Sequence, residues 1–309
     1  MITYVVTDLL QSPARVLVNA VNTVGVMGKG IAKDFKQIYP EMFKEYQLLC
    51  ERKQFNIGQL WLYKTPYKWV LNFPTKQHWK HPSKIEYIEE GLKKFVKTYS
   101  EKGLTSISFP LLGCGNGGLD WETQVKPLME QYLSKLPIDI FIHLYRKDPF
   151  QAEHRNIKEI KKWLRSQAES LAFSEVWEDI KNILLVKQDF ITLDTHDSFK
   201  ASIINSEEVN GVRIETEVSD LIYDYQLLDF WQYLRGFGFS MTNNMPCGLE
   251  NYASYIVAIL AELPYVKPVM LSREDVFMQK MDIGLQLIPR SDYIKEGFFT
   301  TSVEVNAYE

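Results

Sequence analysis

Residues 18–32 read VNAVNTVGVMGKGIA, and residues 112–121 read LGCGNGGLDW. The first stretch leaves a hydrophobic strand with two asparagines, passes Gly25, Gly28 and Gly30, and enters a helix near Ile31. The second repeats the device. A strand over Ile107–Leu111 runs into Gly113, Gly115, Gly117 and Gly118, and a helix starts near Trp121. Glycines at such junctions let main chain approach a ligand closely, and the first turn of a helix offers unpaired N–H groups suited to a phosphate. Two such loops at two strand ends suit both phosphates of one diphosphate. Neither loop fits GxxxxGK followed by Ser or Thr, and the first is not GxGxxG with an acid about 20 residues on, which disfavours P-loop NTPases and hydride-transferring dinucleotide enzymes. Tight turning alone is the bland alternative for each loop.

Around these loops, short β-rich runs alternate with helical patterns. Strands are expected over Tyr4–Val6, Val16–Ala20, Gln59–Tyr63, Trp69–Phe73, Ser106–Leu111 and Ile138–Leu144, with Pro66 in a turn. Helices are expected over Ile31–Tyr39, Ile85–Tyr99 and Trp121–Leu133; Ile85, Ile88, Leu92, Phe95 and Val96 share one face of the second. That alternation implies βαβ units, a mostly parallel sheet covered on both faces, and a ligand at the carboxyl ends of the strands. Residues 154–171 (HRNIKEIKKWLRSQAESL) read as one basic amphipathic helix closing a first domain, residues 1–168. The second, residues 169–309, reads as a smaller acidic α+β domain. Its signals are strands at Phe199–Ile204 and Val212–Glu217 flanking Glu207–Gly211, an apolar and aromatic run Leu221–Leu234, and a helical pattern over Glu250–Leu263. Asn210–Gly211 is a strong hairpin-turn signal, because both residue types tolerate positive φ.

The chain has 309 residues, 46% hydrophobic and 24% charged, enough for two domains with cores of their own. Its net charge of −4 hides an asymmetry. Residues 1–167 carry 25 Lys and Arg against 16 Asp and Glu, a balance of +9, whereas residues 168–309 carry 10 against 23, a balance of −13. Halves so different should meet different partners. Three scattered cysteines (Cys50, Cys114, Cys247) argue against a disulfide framework or a thiolate zinc site. No apolar run reaches the roughly 18 residues that span a bilayer, and MITYVVTDLL lacks the basic segment of a signal peptide, so a reducing cytoplasm and no membrane are expected.

Residues 72–80 read NFPTKQHWK, which puts Lys76 at a strand end. A lysine is a nucleophile only as the free amine, and burial or neighbouring cations favour that form. A solvated surface lysine is the commoner fate of the residue type. His78 and His81 lack a carboxylate or cysteine at metal-ligand spacing and read as loop histidines, and Cys114 reads as a packing residue. No metal or cofactor is called for. Lys64, Lys68, Lys76, Lys80 and Lys84 interleave with Tyr63, Tyr67, Trp69 and Trp79, a pattern able to hold a nucleic-acid backbone and stack an unpaired base, or equally a solvated lysine face over core aromatics.

In the order TDLL, NAVNTVGVMGKGIAKDFK, NFPTK and LLGCGNGGLDW, the first 155 residues resemble a macrodomain. The detail is closest to the DNA ADP-ribosyl glycohydrolase antitoxins of the DarG type, which oppose DNA-modifying toxins of the DarT type, with terminal ADP-ribose protein glycohydrolase as a related branch. The resemblance implies an ADP-ribosyl glycohydrolase acting on ADP-ribosylated DNA, single-stranded by preference, with thymine and guanine both open as the modified base. Protein glycohydrolysis at carboxylates and non-catalytic ADP-ribose binding are the alternatives. It assigns Asp8 to the adenine amino group, beside Leu9, where an N-cap is the rival role. It puts Asn19 and Asn22 at the distal ribose, although Asn19 could equally be a structural amide. Gly28, Lys29, Gly30 and Ile31 would wrap the diphosphate from one side, and Gly113, Cys114, Gly115, Asn116, Gly117, Gly118 and Leu119 from the other, with Thr75 adjoining. Lys76 and Asn22 are the implied catalytic pair. The terminal ADP-ribose branch has an aspartate in the second loop, where Gly117 stands here; Asp120 nearby reads better as an N-cap. Residues 170–309 carry no resemblance of their own, and their acidity suits the basic groove of a cognate DarT-type toxin or a merely soluble domain.

Overall fold

The computed structural model describes residues 1–144, 153–206, 208–242, 245–271 and 282–288. The chain divides into two compact units, Met1–Lys161 and Lys162–Glu309. The last 21 positions of the expected second domain, and Glu207 of its expected hairpin, lie outside the described residues.

The first unit is built on a six-stranded sheet: β1 (Ile2–Val5), β2 (Val16–Asn22), β3 (Trp61–Lys64), β4 (Trp69–Lys76), β5 (Ser106–Phe109) and β6 (Asp139–His143). The order is β1-β6-β5-β2-β4-β3, parallel throughout except for the antiparallel edge pair β3 and β4. The helices are α1 (Gly30–Ile38), α2 (Pro40–Glu51), α3 (Ile85–Thr98) and α4 (Lys126–Leu133), the last preceded by a π-helical turn over Trp121–Val125. The sheet carries a core on each side. One holds Val16, Val18, Phe73, Phe95, Ile107, Phe109 and Ile140; the other holds Leu17, Val21, Phe35, Met42, Tyr46 and Val70. Neighbouring residues of β2 thus serve opposite faces, as a strand's period of two requires, and both faces are apolar because both are covered. The helix α2, which follows α1 with Pro40 at its first position, had no counterpart in the sequence expectations. Its Met42, Phe43, Tyr46 and Cys50 bury one flank of it. Burial pushes the Cys50 thiol up to about 12, which leaves it a packing group.

One departure lies just past β6. Residues 154–171 are not a single helix: a 3-10 turn at Glu153–Arg155, α5 (Ile157–Arg165) and a second 3-10 turn at Ala168–Ser170 share that stretch. Apolar spacing continues through the breaks, which is why periodicity alone missed them.

In the second unit, α6 (Phe173–Val186) precedes an antiparallel sheet of β7 (Asp189–Ile191), β8 (Ser198–Asn205), β9 (Asn210–Glu215) and β10 (Ser219–Tyr223), ordered β10-β9-β8-β7. Then come α7 (Asp224–Phe237), β11 (Phe239–Met241), α8 (Ala253–Leu260), β12 (Val266–Leu271) and β13 (Asp282–Leu287), whose strands make a second sheet ordered β11-β13-β12. Asn210 and Gly211 are not the turn of the β8–β9 hairpin. Both lie within β9, opposite Asn205 and Ile204, and the chain reverses before them, where Ser206 N–H donates to Val209 O at 2.8 Å. Gly211 is small for another reason, since a Cβ there would collide with Ile222 O on β10. Arg165 forks onto Asp179 with bonds of 2.9 and 2.6 Å, and the Tyr265 hydroxyl donates to the same carboxylate at 3.0 Å.

Candidate active site

The carboxyl ends of β2, β4, β5 and β6 open into a cleft of about 420 Å³. Two glycine-rich stretches line it, one leading into α1 through Val26, Gly28, Lys29, Gly30 and Ile31, the other after β5 through Gly113, Gly115, Asn116 and Gly117. Gly30 takes a left-handed φ of +58°, and a Cβ there would lie 2.6 Å from Asn116 Nδ2, so the two loops approach each other side chain to main chain. The amino end of α1 faces the same space through Gly30 and Ile31, as an anionic ligand would require.

Lys76 is the last residue of β4 and is buried, at 5% exposure, rather than solvated. Its amine donates to Asn116 O at 2.8 Å and to Trp79 O at 3.3 Å. The ladder of β2 on β4 runs in register from Val16 opposite Trp69 as far as Val21 opposite Pro74, then slips by one residue, so that Asn22 stands opposite Lys76 instead of Thr75. Irregularities of this kind re-aim side chains beside active sites. Asn22 lines the cleft, but its amide is committed to the first loop. Its Oδ1 accepts from Val24 N–H (3.1 Å), Val26 N–H (3.3 Å) and the Tyr46 hydroxyl (3.2 Å), and Nδ2 donates to Val26 O at 2.6 Å. That is the chemistry of a residue that fixes loop shape.

Asp8 is an N-cap and stands at the cleft as well. One carboxylate oxygen caps the 3-10 turn Leu9–Gln11 by accepting from Leu10 N–H at 2.9 Å, and the residue also lines the cleft with Leu9. Gly28, Lys29, Gly30, Ile31, Thr75, Gly113, Gly115, Asn116 and Gly117 line it as well. Four expected lining residues do not. Asn19 is wholly buried and donates to Asn72 Oδ1 at 3.0 Å, the structural amide of the two readings. Cys114 turns its thiol to Leu112 O at 3.4 Å, and Leu119 packs on the core. Gly118, left-handed at φ +80°, serves the turn instead, donating to Gly115 O at 3.2 Å. Asp120 caps the π-helical turn, accepting from Thr123 N–H at 2.7 Å.

Gly117, where the resemblance would place an aspartate in the related branch, has no room for a side chain. A Cβ there would overlap both Ser83 Oγ and Gly113 O, so no side chain fits while the loop keeps this path. The lysine-aromatic cluster also resolves differently from its sequence spacing. Trp79 is fully buried, and the Lys68 amine is turned onto Ser12 O and Ala14 O at 2.8 and 2.7 Å. Lys64 lies 4.3 Å over the Trp69 ring and Tyr67 is exposed, so only part of the cluster faces outward. His78 Nδ1 accepts from Lys80 N–H at 3.2 Å, and neither His78 nor His81 lines the cleft.

Sequence reasoning missed Lys33, Asp34 and His143, all lining residues. Lys33 and Asp34 stand one turn into α1 from Gly30, a spacing that shares a helix face. His143 ends β6, where the strand-end rule could have found it; its ring bonds Thr7 O at 2.9 Å and Ser108 Oγ at 3.3 Å. His154, beyond the cleft, packs on Gly118. Burial first, then the charges of Lys76 and Arg155, hold its imidazole below the usual histidine range.

Residues 18–128 match the model of the Macro domain. A DNA ADP-ribosyl glycohydrolase of Thermus aquaticus is 44% identical over 148 residues, covering 46% of this chain and 41% of that protein. A DNA ADP-ribosyl transferase-DNA ADP-ribosyl glycohydrolase fusion protein of Thermosipho africanus is 39% identical over 163 residues, covering 46% and 42%. A solved structure of the macrodomain of Mycobacterium tuberculosis DarG is 45% identical, covers 46% of this chain and 97% of that one, and superposes with a TM-score of 0.45. The chain spans about two fifths of the length of the DNA ADP-ribosyl glycohydrolases it matches. Residues 18–128 thus match the Macro domain, and the first half of the chain is similar in sequence to proteins named DNA ADP-ribosyl glycohydrolase.

Proposed function

We propose that the first unit hydrolyses the N-glycosidic bond between ADP-ribose and a nucleobase in DNA, restoring the base. The observation that carries the reading is the buried Lys76 amine, held by Asn116 O and Trp79 O at the cleft where both glycine loops converge. A module that only held ADP-ribose would have no need of an amine there. The 44% identity to proteins named DNA ADP-ribosyl glycohydrolase supports DNA as the substrate. In this reading Asp8 takes the adenine amino group, Gly28–Ile31 and Gly113–Gly117 take the diphosphate, and Asn22 fixes the first loop so that the distal ribose meets Lys76.

Two routes fit the amine. In one, the neutral amine attacks C1 of the distal ribose and the C1–N bond to the base breaks, the base leaving with a proton; the ring then opens to a Schiff base between C1 and the amine, which water cleaves to return free ADP-ribose and the lysine. In the other it stays protonated and stabilises charge on the departing base while water adds at the oxocarbenium-like carbon. Absence of room for an acid at Gly117 leaves the lysine without the aspartate of the terminal ADP-ribose branch.

The test offers ADP-ribosylated single-stranded DNA and ADP-ribosylated protein to the wild type and to Lys76→Ala. Release of ADP-ribose from DNA, cut at least about a hundredfold in the variant, is the expected outcome. Release from protein alone moves the substrate class, and tight binding without release makes the unit a binding module. Borohydride added during turnover traps the first route and not the second. We further propose an antitoxin role, with the acidic second unit holding the basic surface of a DNA-modifying transferase; the fused arrangement named for the Thermosipho relative supports such a pairing.

A further inference from the structure

His154 does not line the cleft, yet its position ties it to Lys76. The 3-10 turn Glu153–Arg155 lays the imidazole on Gly118, where a Cβ built on the glycine would sit 3.4 Å from His154 Cε1. Gly118 closes the turn whose Asn116 carbonyl takes the Lys76 amine at 2.8 Å. His154 Nδ1 is buried and has no hydrogen-bond partner among the described residues. Among those residues, the charged groups acting on the ring are Lys76 at the end of β4 and Arg155 on its own turn. The loop it packs on, residues 112–119, contributes no charged side chain.

We propose that His154 is a positioning residue for Lys76: its neutral ring packs the amine's end of the second glycine loop, and a proton on that ring switches hydrolysis off. The inference rests on the hydrolase reading of the same cleft. Glycosidic cleavage develops positive charge at the anomeric carbon. Lys76 already brings one amine to that region, and a second cation beside it opposes the developing charge, more strongly where protein rather than water lies between. Burial and the two neighbouring cations lower the pKa of His154 from its ordinary 6.5, so the ring is neutral at neutral pH. The sign follows: hydrolysis persists above neutrality and falls as pH drops through a value below 6.5.

The test follows kcat and KM of the full chain on ADP-ribosylated single-stranded DNA from about pH 5 to pH 8.5, beside ADP-ribose affinity. The wild type should lose kcat on the acid side. His154→Asn, neutral at every pH, should flatten that limb. His154→Lys, cationic throughout, should turn over about tenfold or more slowly at pH 8 while binding ADP-ribose no more weakly than the wild type. Retention of the acid limb in His154→Asn, or a His154→Lys variant as fast as the wild type at pH 8, overturns the proposal. An NMR titration of the ring reads the coupling without turnover: Lys76→Met should raise the His154 pKa, and an unmoved value counts against the inference. If the wild type releases no ADP-ribose at any pH, the hydrolase reading itself fails, an outcome distinct from active enzyme with indifferent His154 variants.

Discussion

Gly117 stands where the resemblance to the terminal ADP-ribose branch would put an aspartate, and the obstacle to a side chain there is steric. Ser83 Oγ and Gly113 O occupy the space that any Cβ would need. Ser83 cannot simply swing away, because its own N–H donates to Gly117 O at 2.9 Å and its Cβ lies against both loop glycines. Gly117→Asp should therefore not add a second catalytic acid. It should displace the loop, destabilise the unit by about 1–3 kcal/mol as overpacking does, and weaken ADP-ribose binding about tenfold or more. Calorimetric titration with ADP-ribose and a melting curve check both; a variant that binds normally and turns over faster would show that the loop has another path.

Much of this site could be read from residues alone, and the exceptions share a cause. The glycine loops and Lys76 announce themselves because a strand-to-helix glycine and a strand-end lysine are local patterns. That Asn22 stands opposite Lys76 depends on a one-residue slip between β2 and β4, which no spacing within either strand encodes. His143 lines the cleft from the end of β6 and His154 packs on Gly118 from the turn after it, both far along the chain, so only topology brings them there. Asn19 erred the other way: it sits in the quoted motif, but the pleat turns its amide to Asn72 inside the sheet.

At the scale of elements, the position of Lys76 depends on how α3 lies against β4. Gly91 of α3 faces the Phe73 ring so closely that a Cβ would overlap it, and Phe73 is fully buried three residues before Lys76. Two effects compete in Gly91→Ala. Helix propensity gains about 1 kcal/mol, whereas forcing an extra carbon into a packed core costs about 1–3 kcal/mol. The overlap is with a ring clamped among Ile88, Leu92 and Phe95, so the cost should win. The expected result is a net loss of about 1–2 kcal/mol with a lower Tm, and a KM shift if the end of β4 moves with the helix. A variant more stable than the wild type would mean that α3 can ride outward freely. The heptad-like face of α3 was legible in the sequence; the glycine within it was not, because its reason lies on another element.

At the scale of the molecule, the cleft is the property of one unit. Every residue lining it lies between Asp8 and His143, inside Met1–Lys161, and both cores of the six-stranded sheet are closed within that unit. The −13 balance of residues 168–309 belongs to the other unit and contributes no lining side chain. Residues 1–165, cut so that α5 stays whole, should therefore fold alone, melt in one cooperative transition, and bind ADP-ribose within about threefold of the full chain, a difference under 1 kcal/mol. The acidic unit should matter elsewhere. Its loss removes a field that repels polyanions, so the shortened chain should bind unmodified single-stranded DNA more tightly than the full chain at low salt, with the gap closing as salt screens both. Paired titrations at two ionic strengths read the comparison. A shortened chain that loses ADP-ribose affinity tenfold would place part of the site beyond residue 165, and equal DNA affinity at low salt would mean that the two charge balances act independently.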